Sequence, residues 1–455
     1  MTEGFTALPI ETASLCPTCL KRLPARREVV GDRVDLVKSC PEHGEYRALI
    51  WQGPPHLSEW NRPKTPSQPP VCYGEVKKGC PFDCGLCPEH GQHSCSALLE
   101  VTGRCNLRCP VCFADSGKEE VADPPLSVID SWYRAVHNAS GKSIVIQLSG
   151  GEPTIRDDLP VIIALGRRQG FSFIQLNTNG LRLADSPYYA RELKEAGLAS
   201  VFLQFDGTTD AIYERLRGKA LLPQKIKAID HCLAAGLGVV LVPTVVPGVN
   251  SNNLGAILDF ALQRAPGVRG VHFQPISYFG RFPAPPSDQD RMTLPQILRG
   301  IEQQTGGRMR VDNFAPPGCE HSHCSFHGNF LVNPDGSLLP LTNKDSCCCN
   351  KPTPAAEGAR KSTDFLTRQW AAPQQSTPPR NGAPESLDSF LERIKTHTFA
   401  VSAMAFQDVW NIDLERARNC CIHVLTPQEK LVPFCLYNLT SAQGRSLYRG
   451  HEDAT

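Results

Sequence analysis

The chain has 455 residues, 41% of them hydrophobic, and a formal net charge of +1. A nearly neutral chain lacks the basic or acidic excess that attracts nucleic acid or an anionic membrane surface. The sequence has neither a basic start followed by an apolar run nor a stretch of about 18 apolar residues, so we expect a cytoplasmic protein without a secretory signal or an integral membrane segment.

The 20 cysteines occur mostly in clusters along the chain. In a chain of this length without a secretory signal, clustered thiols are more typical of metal ligands than of a disulfide framework. Cys232 stands apart from every cluster, within an alanine-rich helical pattern. We expect it to be a buried structural thiol.

Residues 1–66 contain a ligand pattern made of two pairs. Cys16 and Cys19 form the first pair, Cys40 and His43 form the second, and the segment between them is predicted to be a hairpin. This spacing is typical of a zinc ribbon or a rubredoxin-like domain. Zinc there would be structural, whereas iron would carry an electron; Cys72 is the alternative to His43.

Residues 67–96 are rich in cysteine, glycine and proline. Cys80, Cys84 and Cys87 have the spacing Cys-x3-Cys-x2-Cys, and Cys95 or Cys72 is the candidate for a fourth thiolate. Because the segment precedes the regular part of the chain, we interpret it as the site of an auxiliary 4Fe-4S cluster, with zinc as the alternative.

Residues 97–310 alternate between strand-like and helix-like segments. Continuous apolar strands that alternate with amphipathic helices predict an α/β fold with a parallel sheet, here a partial TIM-like (β/α)6 barrel. The chemistry of such barrels lies at the carboxyl ends of the strands. We predict strands at 97–102, 143–150, 172–180, 200–207, 238–246 and 270–277, and helices at 126–139, 159–169, 186–197, 224–236 and 253–265.

Residues 311–455 carry the remaining cysteine groups. A hairpin with Asp335 and Gly336 at its turn is expected to bring Cys324 near Cys347. Residues 351–386 are polar and proline-rich, and we predict a flexible insertion there. For a third cluster, the predicted ligands are Cys319, Cys324, Cys421 and Cys435.

The loop after the first barrel strand holds another Cys-x3-Cys-x2-Cys triplet, made of Cys105, Cys109 and Cys112. Three thiolates on one short loop can hold three irons of a 4Fe-4S cluster and leave the fourth iron open to a ligand. Zinc is the alternative, but zinc sites usually use two separated pairs. The triplet and its position resemble the radical S-adenosylmethionine (SAM) superfamily over residues 97–280.

This resemblance implies a reaction and its cofactors. The amino and carboxylate groups of SAM would chelate the open iron, and one electron would split the S–C5′ bond. The resulting 5′-deoxyadenosyl radical would then remove hydrogen from the substrate. The electron would come from a donor such as ferredoxin or flavodoxin, and the three cysteines are the predicted catalytic residues.

The segment SGGEP at 149–153 follows the second strand. Its glycines allow a close backbone approach to a ligand, and the resemblance implies that Glu152 and its motif bind the methionyl amino group. The superfamily commonly has an aromatic residue where this chain has Val111, so Phe113 is the candidate for the adenine-facing side chain. The predicted SAM-binding residues are Phe113, Gly150, Gly151, Glu152, Asn177, Asn179, Gln204, Asp206 and Gln274.

The order of the cysteine motifs, which ends in DLERARNCCIHV and VPFCLYN, resembles one group of the superfamily. It comprises the archaeal tetraether lipid synthases and their bacterial homologues, the dihydropterin-type radical methyltransferases. The resemblance implies several iron–sulfur clusters, a rubredoxin-like iron and C–C bond formation between lipid chain ends.

Three alternatives to lipid coupling stay open. The first is methyl transfer or another C–H functionalisation of a small non-lipid molecule. A non-catalytic iron–sulfur electron carrier and a zinc-bound scaffold belong to other classes. Neither of the last two explains a six-unit barrel or the SGGEP motif, so an enzyme is the favoured interpretation.

Overall fold

The computed structural model describes residues 11–73, 75–117, 122–342, 352–373 and 387–450. Cys347 and its expected contact with Cys324 lie outside these residues. Within them, the helices are too short or too polar to cross a membrane.

The amino-terminal part is an antiparallel four-stranded sheet in the order β1-β2-β3-β4. Gly31, with a φ of +61°, lies in the turn of the predicted hairpin between β2 and β3, which is confirmed. The strands are β1 (Glu11–Leu15), β2 (Arg22–Val30), β3 (Arg33–Cys40) and β4 (Gly44–Gln52).

Two buried cations attach this small sheet to the carboxyl-terminal segment. The guanidinium of Arg27 lies 2.7 Å from the carboxylate of Asp413, and both side chains are buried. The ammonium of Lys38 donates to the carbonyl oxygen of Val409 at 2.8 Å. Because buried charges are costly unless they are paired, these contacts fix the sheet to one surface.

A 12-stranded sheet forms the body of the protein. Six parallel strands lie side by side in chain order, which confirms the predicted βα units. These six strands are β6 (Ser96–Thr102), β7 (Val145–Gly150), β8 (Ile174–Thr178), β9 (Ser200–Gln204), β10 (Gly238–Val242) and β12 (Val268–Pro275). Two short strands complete the numbering: β5 (Lys64–Thr65) precedes β6 in the chain, and β11 (Thr244–Val245) lies between β10 and β12.

Helices connect these strands and bury their apolar faces against the sheet. They are α1 (Leu126–Ser140), α2 (Leu159–Arg168), α3 (Leu181–Asp185), α4 (Pro187–Glu195), α5 (Asp210–Arg217), α6 (Leu222–Ala234) and α7 (Leu254–Leu262), followed by α8 (Leu294–Gln304). Cys232 on α6 is completely buried in this core, as predicted.

The carboxyl-terminal segment extends the sheet at both ends, which no local sequence pattern predicted. At one end β13 (Ser325–Val332) and β14 (Leu338–Pro340) form the predicted hairpin around Gly336, and β16 (Thr398–Met404) joins β13 to β12. At the other end β17 (Ile422–Leu425) pairs in parallel with β6, and β18 (Leu431–Pro433) pairs with β17.

The expectation of a flexible insertion at 351–386 is wrong for its first half. After β15 (Thr353–Pro354), which pairs with β5, the chain forms the 16-residue helix α9 (Ala355–Trp370). The Trp370 ring packs 5.3 Å from that of Phe202 on β9, so tertiary packing stabilises α9. The prolines on either side of this helix had favoured the prediction of a flexible segment. Residues 374–386 lie outside the described residues, and the helices that follow them are α10 (Leu387–His397), α11 (Leu414–Arg418) and α12 (Phe434–Asn438).

Candidate active site

The cysteine loop lies at the carboxyl end of β6 and is held from the opposite side by Arg281. The backbones of Cys112 and Arg281 exchange two hydrogen bonds of 2.9 and 3.0 Å, and Arg281 Nε donates to the carbonyl of Cys109 at 3.1 Å. The thiols of Cys105, Cys109 and Cys112 are partly exposed and line one cavity. Burial raises the pKa of the Cys105 thiol to about 11.

The glycine pair of SGGEP packs directly against this loop. Gly151 N donates to Thr102 O at 2.8 Å, and Glu152 N donates to Arg104 O at 2.9 Å. A Cβ atom at Gly150 would lie 2.2 Å from Thr102 O, and one at Gly151 would lie 2.0 Å from Arg104 O. The glycines therefore allow backbone to approach backbone, which brings the two motifs together.

The Glu152 side chain is 1% exposed and already has several protein donors. One oxygen accepts from the Thr154 amide at 3.1 Å and from the hydroxyls of Thr154 and Thr178 at 2.6 Å each. The other accepts from the Asn179 amide at 2.6 Å. The carboxylate thus fixes the end of β8 against the turn, in addition to its predicted role toward an ammonium group.

Most of the predicted SAM-binding residues line the same cavity. Asp206 is the exception, because it is completely buried and its carboxylate pairs with Arg217 through two hydrogen bonds of 2.7 Å. Arg217 on α5 faces the cavity instead, a role that no feature of its helix pattern indicates. The predicted residues on the cavity are Phe113, Gly150, Gly151, Glu152, Asn177, Asn179, Gln204 and Gln274.

The cavity has a volume of about 560 Å³, within the range of about 300–1,000 Å³ typical of small-molecule sites. It extends from the cysteine loop along the concave side of the sheet to α9. Phe365, Leu366 and Trp370 of α9 form one of its walls. Helix α9, which the sequence analysis did not predict, therefore forms part of the site.

A second group of thiols opens on this cavity. Cys95, Cys319 and Cys421 are all buried, their sulfur atoms lie within 4.8 Å of one another, and Cys95 lines the cavity. Hydrogen bonding with Cys319 and Cys421 holds the pKa of Cys95 well below its usual value. The pairing of Ile422 with Ser96 places Cys421 beside Cys95.

This group differs from both sets that the sequence predicted. Cys95 joins Cys319 and Cys421 instead of the Cys80 motif, because the unpredicted pairing of β17 with β6 aligns them. Cys324 accepts a hydrogen bond from Arg416 at 3.3 Å, and Cys435 accepts one from the Gln407 amide at 3.3 Å. Neither belongs to the compact group.

The Cys80 motif forms a turn, and Cys80 packs in one apolar cluster with Leu98 and Phe279, which line the cavity. Asp83 accepts from the amides of Lys77, Lys78 and Gly79 at 2.6–2.7 Å, which shapes the turn. Cys80 and Cys87 are buried and Cys84 is half-buried. A hydrogen bond from Cys84 lowers the pKa of Cys80, so these two thiols are neighbours.

The amino-terminal sheet brings its predicted ligands together. Cys16, Cys19, Cys40 and His43 have donor atoms within 4.8 Å of one another. His43 Nδ1 lies 3.4 Å from Cys40 Sγ and 3.7 Å from Cys16 Sγ. Three thiols and one imidazole nitrogen form a closed set that suits a structural zinc ion. Cys72, the alternative to His43, is not part of this group.

Two family models match parts of the chain. The radical SAM superfamily model matches residues 99–261, and the model of the HMPTM N-terminal zinc ribbon domain matches residues 8–52. The first match lies within the predicted barrel, in agreement with the superfamily resemblance, and the second coincides with the predicted ribbon.

Several relatives and solved structures are similar to the chain. SuiB of Streptococcus suis, in complex with its precursor peptide, has a TM-score of 0.40 and 13% identity over 48% of this chain and 46% of its own. The GTP 3′,8-cyclase of Paenarthrobacter nicotinovorans is 31% identical over 42% of this chain and 54% of its own length.

Another relative matches almost end to end. The 7,8-dihydro-6-hydroxymethylpterin dimethyltransferase of Methanocaldococcus jannaschii is 35% identical over 95% of this chain and 94% of its own. Such a match spans the ribbon, the barrel and the carboxyl-terminal segment together. The chain is therefore an enzyme, and the non-catalytic alternatives are wrong. It belongs to the radical SAM superfamily and, within it, to the family of this methyltransferase.

Proposed function

We propose that the protein is a radical SAM methyltransferase that methylates carbon in a dihydropterin, namely 7,8-dihydro-6-hydroxymethylpterin or a close analogue. The observation that carries this proposal is the end-to-end similarity to the archaeal dimethyltransferase. It favours methyl transfer over the coupling of lipid chains. The cavity of about 560 Å³ is compatible with a small bicyclic substrate beside SAM.

In this proposal Cys105, Cys109 and Cys112 hold the SAM-binding 4Fe-4S cluster. The donor set fits the group, because three thiols of one loop face a cavity and leave one iron free for SAM. When bound, the cluster supplies one electron for SAM cleavage, received from a ferredoxin or flavodoxin. The backbone of Gly150 and Gly151 holds the turn against the loop.

The three thiols of Cys95, Cys319 and Cys421 are the best candidates for an auxiliary cluster. They are close together, buried and adjacent to the cavity, so a cluster there would act on the substrate side. Cys80, Cys84 and Cys87 stay the predicted ligands of a further cluster.

We expect the anaerobically reconstituted protein, with dithionite as the electron source and SAM in excess, to cleave one SAM to methionine and 5′-deoxyadenosine and to methylate 7,8-dihydro-6-hydroxymethylpterin with the methyl group of a second SAM, which leaves as S-adenosylhomocysteine. Mass spectrometry measures 5′-deoxyadenosine and the methylated pterin. C109A is expected to lose both, because two thiolates do not hold the cluster in place. C232A is the matched control, since Cys232 is buried in the core and away from the cysteine groups, and it should stay active.

Two results would contradict this proposal. A fully iron-loaded wild-type protein that forms no 5′-deoxyadenosine would refute radical SAM catalysis at this loop. Formation of 5′-deoxyadenosine without a methylated pterin would refute the substrate and leave the catalytic class intact.

The amino-terminal site is expected to contain about one zinc ion per chain. C40S should lose that zinc, because it removes one ligand of a closed four-ligand set, whereas C72S should retain it, because Cys72 lies outside the set. Plasma mass spectrometry of the purified variants measures the metal. Iron in place of zinc in the wild-type site would contradict the expectation.

A further inference from the structure

Below the SAM-facing rim, three neighbouring strands present a row of uncharged polar side chains to the cavity. Ser402 on β16 pairs in register with His272 on β12 and with His327 on β13. All three side chains line the cavity. The His272 ring is fixed by a 2.8 Å hydrogen bond between Nδ1 and Ser402 Oγ.

These groups retain hydrogen-bonding capacity. Within the part of the chain that the structure describes, His272 Nε2 and the His327 ring make no hydrogen bond with the protein. Asn329, two residues along β13 on the same face, has a buried Oδ1 without a partner among the described residues. A buried polar atom without a partner is costly, so this end of the cavity is suited to a ligand that forms hydrogen bonds.

The two imidazoles are neutral at physiological pH. Burial lowers the pKa of both His272 and His327 to about 4. A neutral imidazole offers one donor and one acceptor. Together with the Ser402 hydroxyl and the Asn329 amide, the row offers both donors and acceptors without a charge.

Aromatic side chains lie beside this row. The Phe202 ring lies 5.3 Å from the His272 ring and 5.3 Å from the Trp370 ring, and both phenylalanine and tryptophan line the cavity. Flat apolar surfaces of this kind favour a planar ring system. The site therefore combines aromatic walls with one neutral polar edge.

We propose that His272, Ser402, His327 and Asn329 bind the pyrimidine edge of the pterin substrate, with its rings packed beside Phe202 and Trp370. The inference depends on the proposed function and names the residues that select the substrate. The pyrimidine edge of a pterin is uncharged and carries both N–H donors and oxygen or nitrogen acceptors, which matches the row.

The geometry also gives the substrate an orientation. Gln274 lies on the same face of β12 as His272 and two residues nearer the cysteine loop, a step of about 7 Å along the strand. A substrate held at its pyrimidine edge by the row therefore directs its opposite edge, with the hydroxymethyl group, toward the SAM end of the cavity.

The test measures the dissociation constant of 6-hydroxymethylpterin by its own fluorescence, with SAM present. S402A, H272F and H327F should each bind the pterin about three- to tenfold more weakly, the size of one lost hydrogen bond. SAM binding and 5′-deoxyadenosine formation without pterin should stay near the wild-type level. H56A, at an exposed histidine, is the matched control, and thermal unfolding confirms that each variant is folded.

A second ligand makes the test specific for the polar edge. 6-Hydroxymethyllumazine carries a carbonyl where the pterin carries its amino group, so the wild type should prefer the pterin and the folded variants should lose that preference. Equal pterin affinity in wild type, S402A and H272F would overturn the inference and leave the proposed function standing. A wild-type protein that cleaves SAM but binds no pterin would instead overturn the proposed substrate.

Discussion

Replacement of Gly151 by alanine is expected to reduce 5′-deoxyadenosine formation by about 100-fold or more. The added Cβ would lie 2.0 Å from the carbonyl oxygen of Arg104, so the SGGEP turn and the cysteine loop must separate. A misplacement of about 1 Å at a reacting centre can cost about 100-fold in rate. The measurement is the initial rate of 5′-deoxyadenosine release from protein of equal iron content.

The matched control is G300A on α8. There the nearest atom to the new Cβ is the end of the Leu254 side chain at 2.9 Å, which can rotate away, and alanine favours a helix. G300A should keep the wild-type rate. If G151A also keeps it, the packing of the two motifs against each other has no role in SAM cleavage.

Asp206→Asn is expected to lower the free energy of unfolding by about 3–5 kcal/mol, because it leaves the buried Arg217 without its counter-charge. Asp206 is completely buried and Arg217 is 8% exposed. Asp206 Oδ1 also accepts from the Thr244 amide at 3.1 Å. Urea denaturation of the metal-free protein under reducing conditions measures the change.

D259N is the matched control for this pair. Asp259 forms an ion pair with Arg308, but both side chains are 47% exposed, and a pair of this kind contributes about 0–1 kcal/mol. D259N should therefore unfold at nearly the wild-type urea concentration. Equal destabilisation by D206N and D259N would contradict the role of burial at Asp206.

The parallel core could be predicted from the sequence because each unit carries a local signal. Strands such as β10 are continuous apolar runs, and the intervening helices have an apolar stripe, so their periods are visible within a few residues. Because each motif directly follows a predicted strand, the sequence also placed the cysteine loop and the glycine pair at the carboxyl ends of adjacent strands, β6 and β7. The structure brings these two motifs into contact.

The features that the sequence did not predict depend on contacts between residues far apart in the chain. No local pattern indicates that β17 pairs with β6, so the association of Cys95 with Cys421 was missed. Prolines on both sides of α9 dominate the composition of residues 351–386. That composition predicted a flexible segment where the structure has a packed helix. Asp206 directly follows its strand, the position at which a SAM-binding residue is expected, but its carboxylate instead forms an ion pair with the buried Arg217 of the next helix.

The pairing of β17 with β6 also sets an order of maturation during synthesis. Cys95 and Cys421 are 326 positions apart, so a ribosome must translate most of the chain before their thiols can meet. The ribbon ligands all lie within the first 43 residues and are available on the order of tens of seconds earlier at typical elongation rates. A nascent chain can therefore acquire its ribbon metal long before Cys95, Cys319 and Cys421 exist as a site, so metal delivery to these three thiols must follow the synthesis of β17.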